Sequence, residues 1–332
     1  MNNWIFWSTA ICFTIVMVTG GSLSAENPAI VNLLVDHDTP SSIQDTSVDT
    51  SQLLWNMYNF MAPATNATWT IILTENAARV DRNTLVSMNP GTIEYGISGN
   101  HSGEKMSTIS YAQQKTELEN AKKRAELCKI CGVNEVIVKG FMPQLYDQNK
   151  DTYKALDDLG IVYDAGFKAG VLYAPGHEND VWPYKVENHN FYAVPISTYT
   201  LSGEKVALDD REIKEKGMSS SQWYDMLKGK FDEVSGKDEP MVISLHSSIS
   251  GTGDYLDALK QFIKYAVSNK ASFVKTSDLI DMSITGNHSK VPSSPVVSKT
   301  NTQPVSKSEQ NVTSGCPECD KMQNITAKVI TV

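Results

Sequence analysis

The chain has 332 residues, 41% hydrophobic and 20% charged. That is length enough for a sizeable core, and too ordinary a composition for a disordered, collagenous or multi-span membrane protein. Its formal net charge of −9 argues against a general nucleic-acid binder, which needs a basic footprint.

From Trp4 to Val18 the chain carries no charge, small residues follow up to Ala25, and Glu26 is the first charge. Residues 1–25 therefore read as a secretory signal, with an uncleaved anchor as the rival reading. At the other end, 283–332 has no aromatic residue and is rich in Ser, Thr, Pro, Lys, Asn and Gln. It reads as a disordered tail, because it cannot bury enough apolar surface to offset its ordering entropy. Five lysines against three carboxylates give that tail +2 and leave −11 on the domain at 26–282. Sequons begin at Asn66, Asn100, Asn287, Asn311 and Asn324, as on an exported, glycosylated surface.

Within 26–282 short apolar runs alternate with helical patterns. Residues 29–35 (AIVNLLV) read as a buried strand that opens into Asp36, His37 and Asp38. Residues 69–73 and 93–97 repeat that form. The clearest helix is 110–131, where Ser110 with Gln113 forms a capping box and Leu118, Ala121, Ala125 and Cys128 make an apolar stripe. Strands are expected at 133–138, 161–163, 170–173, 191–195 and 241–245, with helices at 150–159 and 255–269. Alternating strands and helices predict an α/β domain with a parallel sheet.

In such folds the loops at the carboxyl ends of the strands build the active site. Three polar groups stand there: Asp36-His37-Asp38, His101 with Glu104, and His246 after MVISL. Asp, His and Glu suit a divalent cation in a hydrolytic site, with a spare carboxylate as base and a spare imidazole as acid. Lys105, Asp157-Asp158 and the run Asp209-Asp210-Arg211-Glu212 read as solvated faces. Cys128 of the CKIC pair on the last helical turn (Cys128, Cys131) reads as a buried core residue, and Cys316 and Cys319 (CPEC) as a pair in the tail, rather than as a shared zinc site.

The order of these clusters over about 28–282 resembles the polysaccharide deacetylases of the NodB-homology type. The resemblance implies a distorted, incomplete (β/α) barrel that removes acetyl groups from N-acetylglucosamine polymers with a bound divalent metal, zinc being the expectation. Val35-Asp36-His37-Asp38-Thr39-Pro40 is similar to the family's paired-Asp motif, with Asp38 as metal ligand and His37 or Asp36 as base. His101-Ser102-Gly103-Glu104-Lys105 is similar to the His-Ser/Thr-x-x-His motif, with Lys105 in place of the second ligand and Glu104 as the substitute. Met142 stands where the family places an Arg that orients the base, and Tyr146 follows as a substrate contact. Leu245-His246 matches the Leu-His motif whose His protonates the leaving amine. Asp180-Val181-Trp182 resembles the Trp-bearing motif, which makes Trp182 a second substrate contact. His177 and His189 remain as candidate replacement ligands.

These readings predict an exported metal-dependent hydrolase of carbon–nitrogen bonds acting on a carbohydrate polymer. No nucleic acid is expected as a partner, and no membrane span unless the N-terminal segment is retained. The competing expectation is a non-catalytic surface module that keeps the barrel to bind glycan or for a structural role.

Overall fold

The computed structural model describes residues 28–38, 49–65, 68–88, 93–126 and 137–288. The N-terminal segment, both CxxC pairs, Thr39 and Pro40, most of the expected 133–138 strand and the chain beyond 288 lie outside them. In chain order the elements begin β1 (Ile30–His37), α1 (Thr50–Thr65), β2 (Trp69–Thr74), α2 (Glu75–Val80), α3 (Arg82–Ser87), β3 (Ile93–Gly99), α4 (Tyr111–Glu126), β4 (Gly140–Phe141) and α5 (Lys150–Asp158). There follow β5 (Tyr163–Lys168), β6 (Tyr184–Lys185), β7 (Tyr192–Ile196), β8 (Thr198–Leu201), β9 (Glu204–Ala207), α6 (Asp210–Glu215) and α7 (Ser220–Val234). The domain ends with β10 (Met241–His246), α8 (Ser247–Ser250), α9 (Gly253–Ser268), β11 (Ser272–Val274) and α10 (Thr276–Thr285).

The main sheet runs β10-β1-β2-β3-β4-β5-β7-β6, with β11 also paired to the start of β1. Its ladders are parallel except for β6 against β7, as helical crossovers require. The sheet curls without closing by a ladder. Across the gap Ser197, just past β7, donates its N–H to the Val242 carbonyl at 3.0 Å, and its Oγ accepts from Val242 N at 2.9 Å. This is the incomplete barrel that the sequence led us to expect.

Side-chain alternation along the strands divides the core in two. Val31, Leu33, Val35, Ile71, Leu73 and Leu245 face outward under the helices. Ile30, Leu34, Ile72, Val194 and Val242 face the inside of the curl. β4 passes so close to β5 that a Cβ at Gly140 would strike the Tyr163 ring, so that position needs glycine.

The capping box at Ser110 forms, with Ser110 N donating to Gln113 Oε1 at 3.1 Å. Two expectations change. Residues 170–173 form a turn bridged to Lys168 rather than a strand, with Val171, Leu172 and Tyr173 exposed. The described helix α10 runs past 283 to Thr285, and Ser283 Oγ donates to the Pro183 carbonyl at 2.6 Å. The helices α1 and α7, which the reading of the sequence did not include, pack into the outer core through Leu54 and Met57 and through Trp223, Leu227 and Phe231, at helical spacing. Among the described residues no helix is long and apolar enough to cross a membrane.

Candidate active site

The parallel pairing of β1 with β10 sets Asp36 directly opposite His246. Both lie on the inward alternation of their strands, at the carboxyl end of the curl. Asp36 is 2% exposed. Its Oδ2 accepts from Gln144 Nε2 at 2.8 Å, and His246 Nε2 lies 3.6 Å away. Its Oδ1 is buried with no hydrogen-bond partner among the described residues. Burial first, and then the neighbouring charge of Asp38, push the Asp36 carboxyl up to about 6 despite His246 and Arg211.

His246 is held from below. Its Nδ1 lies 2.5 Å from Asp210 Oδ1, and its backbone N–H donates to the same carboxylate. Burial alone would lower the imidazole, but Asp210 and Asp209 outweigh it and raise it to about 9. Asp210 is completely buried and also accepts from Ser250 Oγ. Asp209 caps α6, its Oδ1 accepting from Glu212 N at 2.9 Å and its Oδ2 from the Tyr146 hydroxyl at 2.6 Å. Burial works to raise Asp209, but the charge of His246 and the Tyr146 hydrogen bond hold it below the usual carboxylate range.

Asp209 and Asp210 are thus buried and Arg211 is half-buried, not the solvated face expected of the run. The signal was present in the sequence. The apolar Val206-Ala207-Leu208 runs straight into these charges, as 29–35 runs into Asp36. Arg211 reaches from α6 to place Nη2 3.1 Å from Asp38 Oδ2 and 3.8 Å from Asp36 Oδ2. Burial lowers the guanidinium, and the surrounding carboxylates, Asp36 foremost, more than compensate.

Several sequence-derived site residues fall elsewhere. His37 has the opposite alternation to Asp36 and Asp38, so it points away from them into the outer layer. Its Nε2 donates to Asp81 Oδ2 at 2.9 Å, and its Nδ1 lies 2.8 Å from Ser247 Oγ. It cannot serve as the base at this site. His101 is 44% exposed and its Nε2 is 3.9 Å from Glu104. Glu104 folds beneath Gly99, where φ is +109°, and its Oε2 accepts from Asn100 N at 2.7 Å. Burial and this Glu104 carboxylate push the neighbouring Glu117 up to about 8. Trp182 donates to the Asp238 carbonyl and stacks on His288 at 3.9 Å. Asp238 precedes β10, so Trp182 sits at the end of the barrel opposite His246. His177 and His189 are paired with Asp180 and Asp157 and stand apart from the cluster.

Tyr146 does reach the site. It and Leu145 both have left-handed backbones, φ +58° and +56°, a strained turn for non-glycine residues. That turn sends the Tyr146 hydroxyl down to Asp209 and leaves Leu145 exposed at the mouth. Burial and the Asp209 charge hold the phenol protonated, and Lys168 Nζ lies 4.0 Å above its ring. A cavity of about 290 Å³ opens among Asp36, Met142, Tyr146, Lys168, Arg211 and His246.

The residues expected to hold a metal do not fit one. Asp38 Oδ2 already accepts from Ser102 Oγ at 2.7 Å and from Arg211, Glu104 is turned under Gly99, and Lys105 is exposed. Among the described residues, the one group of three whose potential ligand atoms converge is Asp209, Asp210 and His246. Its atoms are engaged with one another, with Ser250, with Tyr146 and with the α6 backbone.

No protein-family model and no curated protein matches the sequence. The structure is similar to several solved ones. A protein assigned as a polysaccharide deacetylase from Mycobacterium smegmatis superposes with a TM-score of 0.59 at 14% identity, over 87% of this chain and 98% of that one. Another so assigned, from Pseudomonas aeruginosa PAO1, gives 0.59 at 16% identity over 76% and 90%. Puue allantoinase gives 0.61 at 16% identity over 80% and 93%. The chain therefore has the fold of the polysaccharide deacetylases, in a divergent form.

Proposed function

We propose that the chain is a hydrolase of carbon–nitrogen bonds that removes N-acetyl groups from an amino-sugar polysaccharide. One observation carries the reading: the buried Asp36 carboxyl and His246 imidazole lie 3.6 Å apart on the wall of one cavity, where their surroundings push the carboxyl up to about 6 and the imidazole up to about 9. Titratable neighbours pushed apart in this way divide into a base and an acid. Between those values Asp36 is ionised and His246 is protonated. The Asp36 carboxylate takes a proton from water as that water attacks the acetamido carbonyl. The negative charge that develops on the carbonyl oxygen faces the Arg211 guanidinium. The Nε2–H of His246 then protonates the leaving nitrogen, releasing acetate and a free amine. Asp210 fixes the ring so that Nε2 faces the cavity.

The domain's acidity disfavours an anionic polymer, and a neutral N-acetylated glycan suits it better. The N-terminal segment supports action outside the cell. The experiment is acetate release from a chitin oligomer or a peptidoglycan fragment by the full chain, beside Asp36→Asn and His246→Gln. Release by the wild type and its loss in both variants supports the reading. A folded wild type that binds the glycan and releases nothing supports the non-catalytic alternative, which the missing ligand triad favours.

A further inference from the structure

We propose that Arg211 takes the place of a divalent cation on the Asp36–Asp38 pair, so that this site operates without a metal and excludes one. The inference concerns the same cavity as the hydrolase reading, but cation binding is measured apart from turnover. Asp36 and Asp38 are two positions apart at the end of one strand and so face the same interior, 2% and 7% exposed. Two carboxylates brought together in a buried place need a cation. Arg211 supplies it through Nη2, and a guanidinium does not lose its proton in a protein.

The placement is built into the fold rather than left to a long side chain. Arg211 is the second residue of α6. Asp209 caps that helix, and Asp210 ties it to the backbone and ring of His246. The guanidinium therefore arrives with the strand end it neutralises. A metal ion bound to Asp38 Oδ2 at about 2 Å would lie in the space next to Nη2 and would have to expel it. The potential ligands around it are turned away. Ser102 donates its hydroxyl to Asp38, His101 is directed to the Ser102 carbonyl, and Glu104 lies beneath Gly99.

The test is Mn²⁺ binding to the full chain, followed by water-proton relaxation. Mn²⁺ prefers oxygen ligands and so largely ignores the two CxxC pairs. The wild type is expected to show no saturable site that depends on Asp38. Arg211→Met, of similar bulk and no charge, is expected to gain one Mn²⁺ per chain, at least about tenfold tighter than any wild-type binding. The double variant with Asp38→Asn loses it, and Arg211→Lys, which keeps a cation, never acquires it. Stoichiometric wild-type binding that Asp38→Asn removes overturns the proposal, and so does a folded Arg211→Met with no gain. Should Arg211→Met not fold, the wild-type measurement decides alone. A chain that releases no acetate yet excludes Mn²⁺ until Arg211 is removed refutes the hydrolase reading and leaves this one standing.

Discussion

Asp210 holds His246 by two groups of the same residue: its carboxylate accepts the backbone N–H at 3.0 Å and lies 2.5 Å from the ring Nδ1. The pair is buried, 36 positions apart in sequence. It orients the imidazole and raises its proton affinity together.

Asp210→Asn keeps the shape and removes the charge. We expect the His246 titration, followed by NMR of the ring protons, to fall from about 9 by about one unit or more. The alkaline limb of any pH–rate profile should move with it. An unchanged midpoint would show that Asp210 is only a spacer.

The wild-type rate should be bell-shaped in pH. Activity rises as Asp36 ionises near 6 and falls as His246 deprotonates near 9. Asp36→Asn should lower kcat by about 10²–10⁴-fold and abolish the acid limb. Persistence of that limb in a residual rate would assign the base elsewhere.

His37→Leu separates the two sides of β1. His37 is bonded to Asp81 and Ser247, and its hydrogen bond holds the Asp81 carboxyl below its ordinary value against the effect of burial. The variant should lose about 1–3 kcal/mol of stability in denaturant titrations, because a buried acceptor loses its donor. The same variant should retain both limbs of the pH–rate profile. Loss of the acid limb would restore His37 as the base.

Asp164 is fully buried with Oδ2 unpartnered among the described residues, and burial pushes it from 3.8 to about 7. A raised carboxyl means that the folded chain binds protons more tightly than the unfolded one. Its contribution to stability is therefore present below pH 3.8 and lost as pH rises through about 7. Asp164→Asn should raise Tm at pH 8.5 by at least about 2–4 °C, equivalent to about 1 kcal/mol, with little change at pH 4. Equal shifts at both pH values would mean that the charge is not the cause.

Much of the barrel was legible because strand endings are local. The runs that end at Asp36 and at His246 announce buried strands, and their polar ends announce a site. The deacetylase-like order of motifs led to the right fold. The sequence alone therefore determined the architecture and the acidity of the domain, and it singled out Asp36, Asp38, His246 and Tyr146, which the structure gathers at the carboxyl end of the curl. It did not determine direction or company. His37 lies between two site residues, yet the two-residue period of β1 turns it to the other face. Arg211 is 173 positions from Asp38, and only the approach of α6 to the ends of β1 and β10 brings them within 3.1 Å. Trp182 carries a motif-like signature, yet it packs at the opposite end of the sheet. Side-chain direction and the cation on the aspartate pair depend on contacts between distant segments, so the tertiary structure decided them.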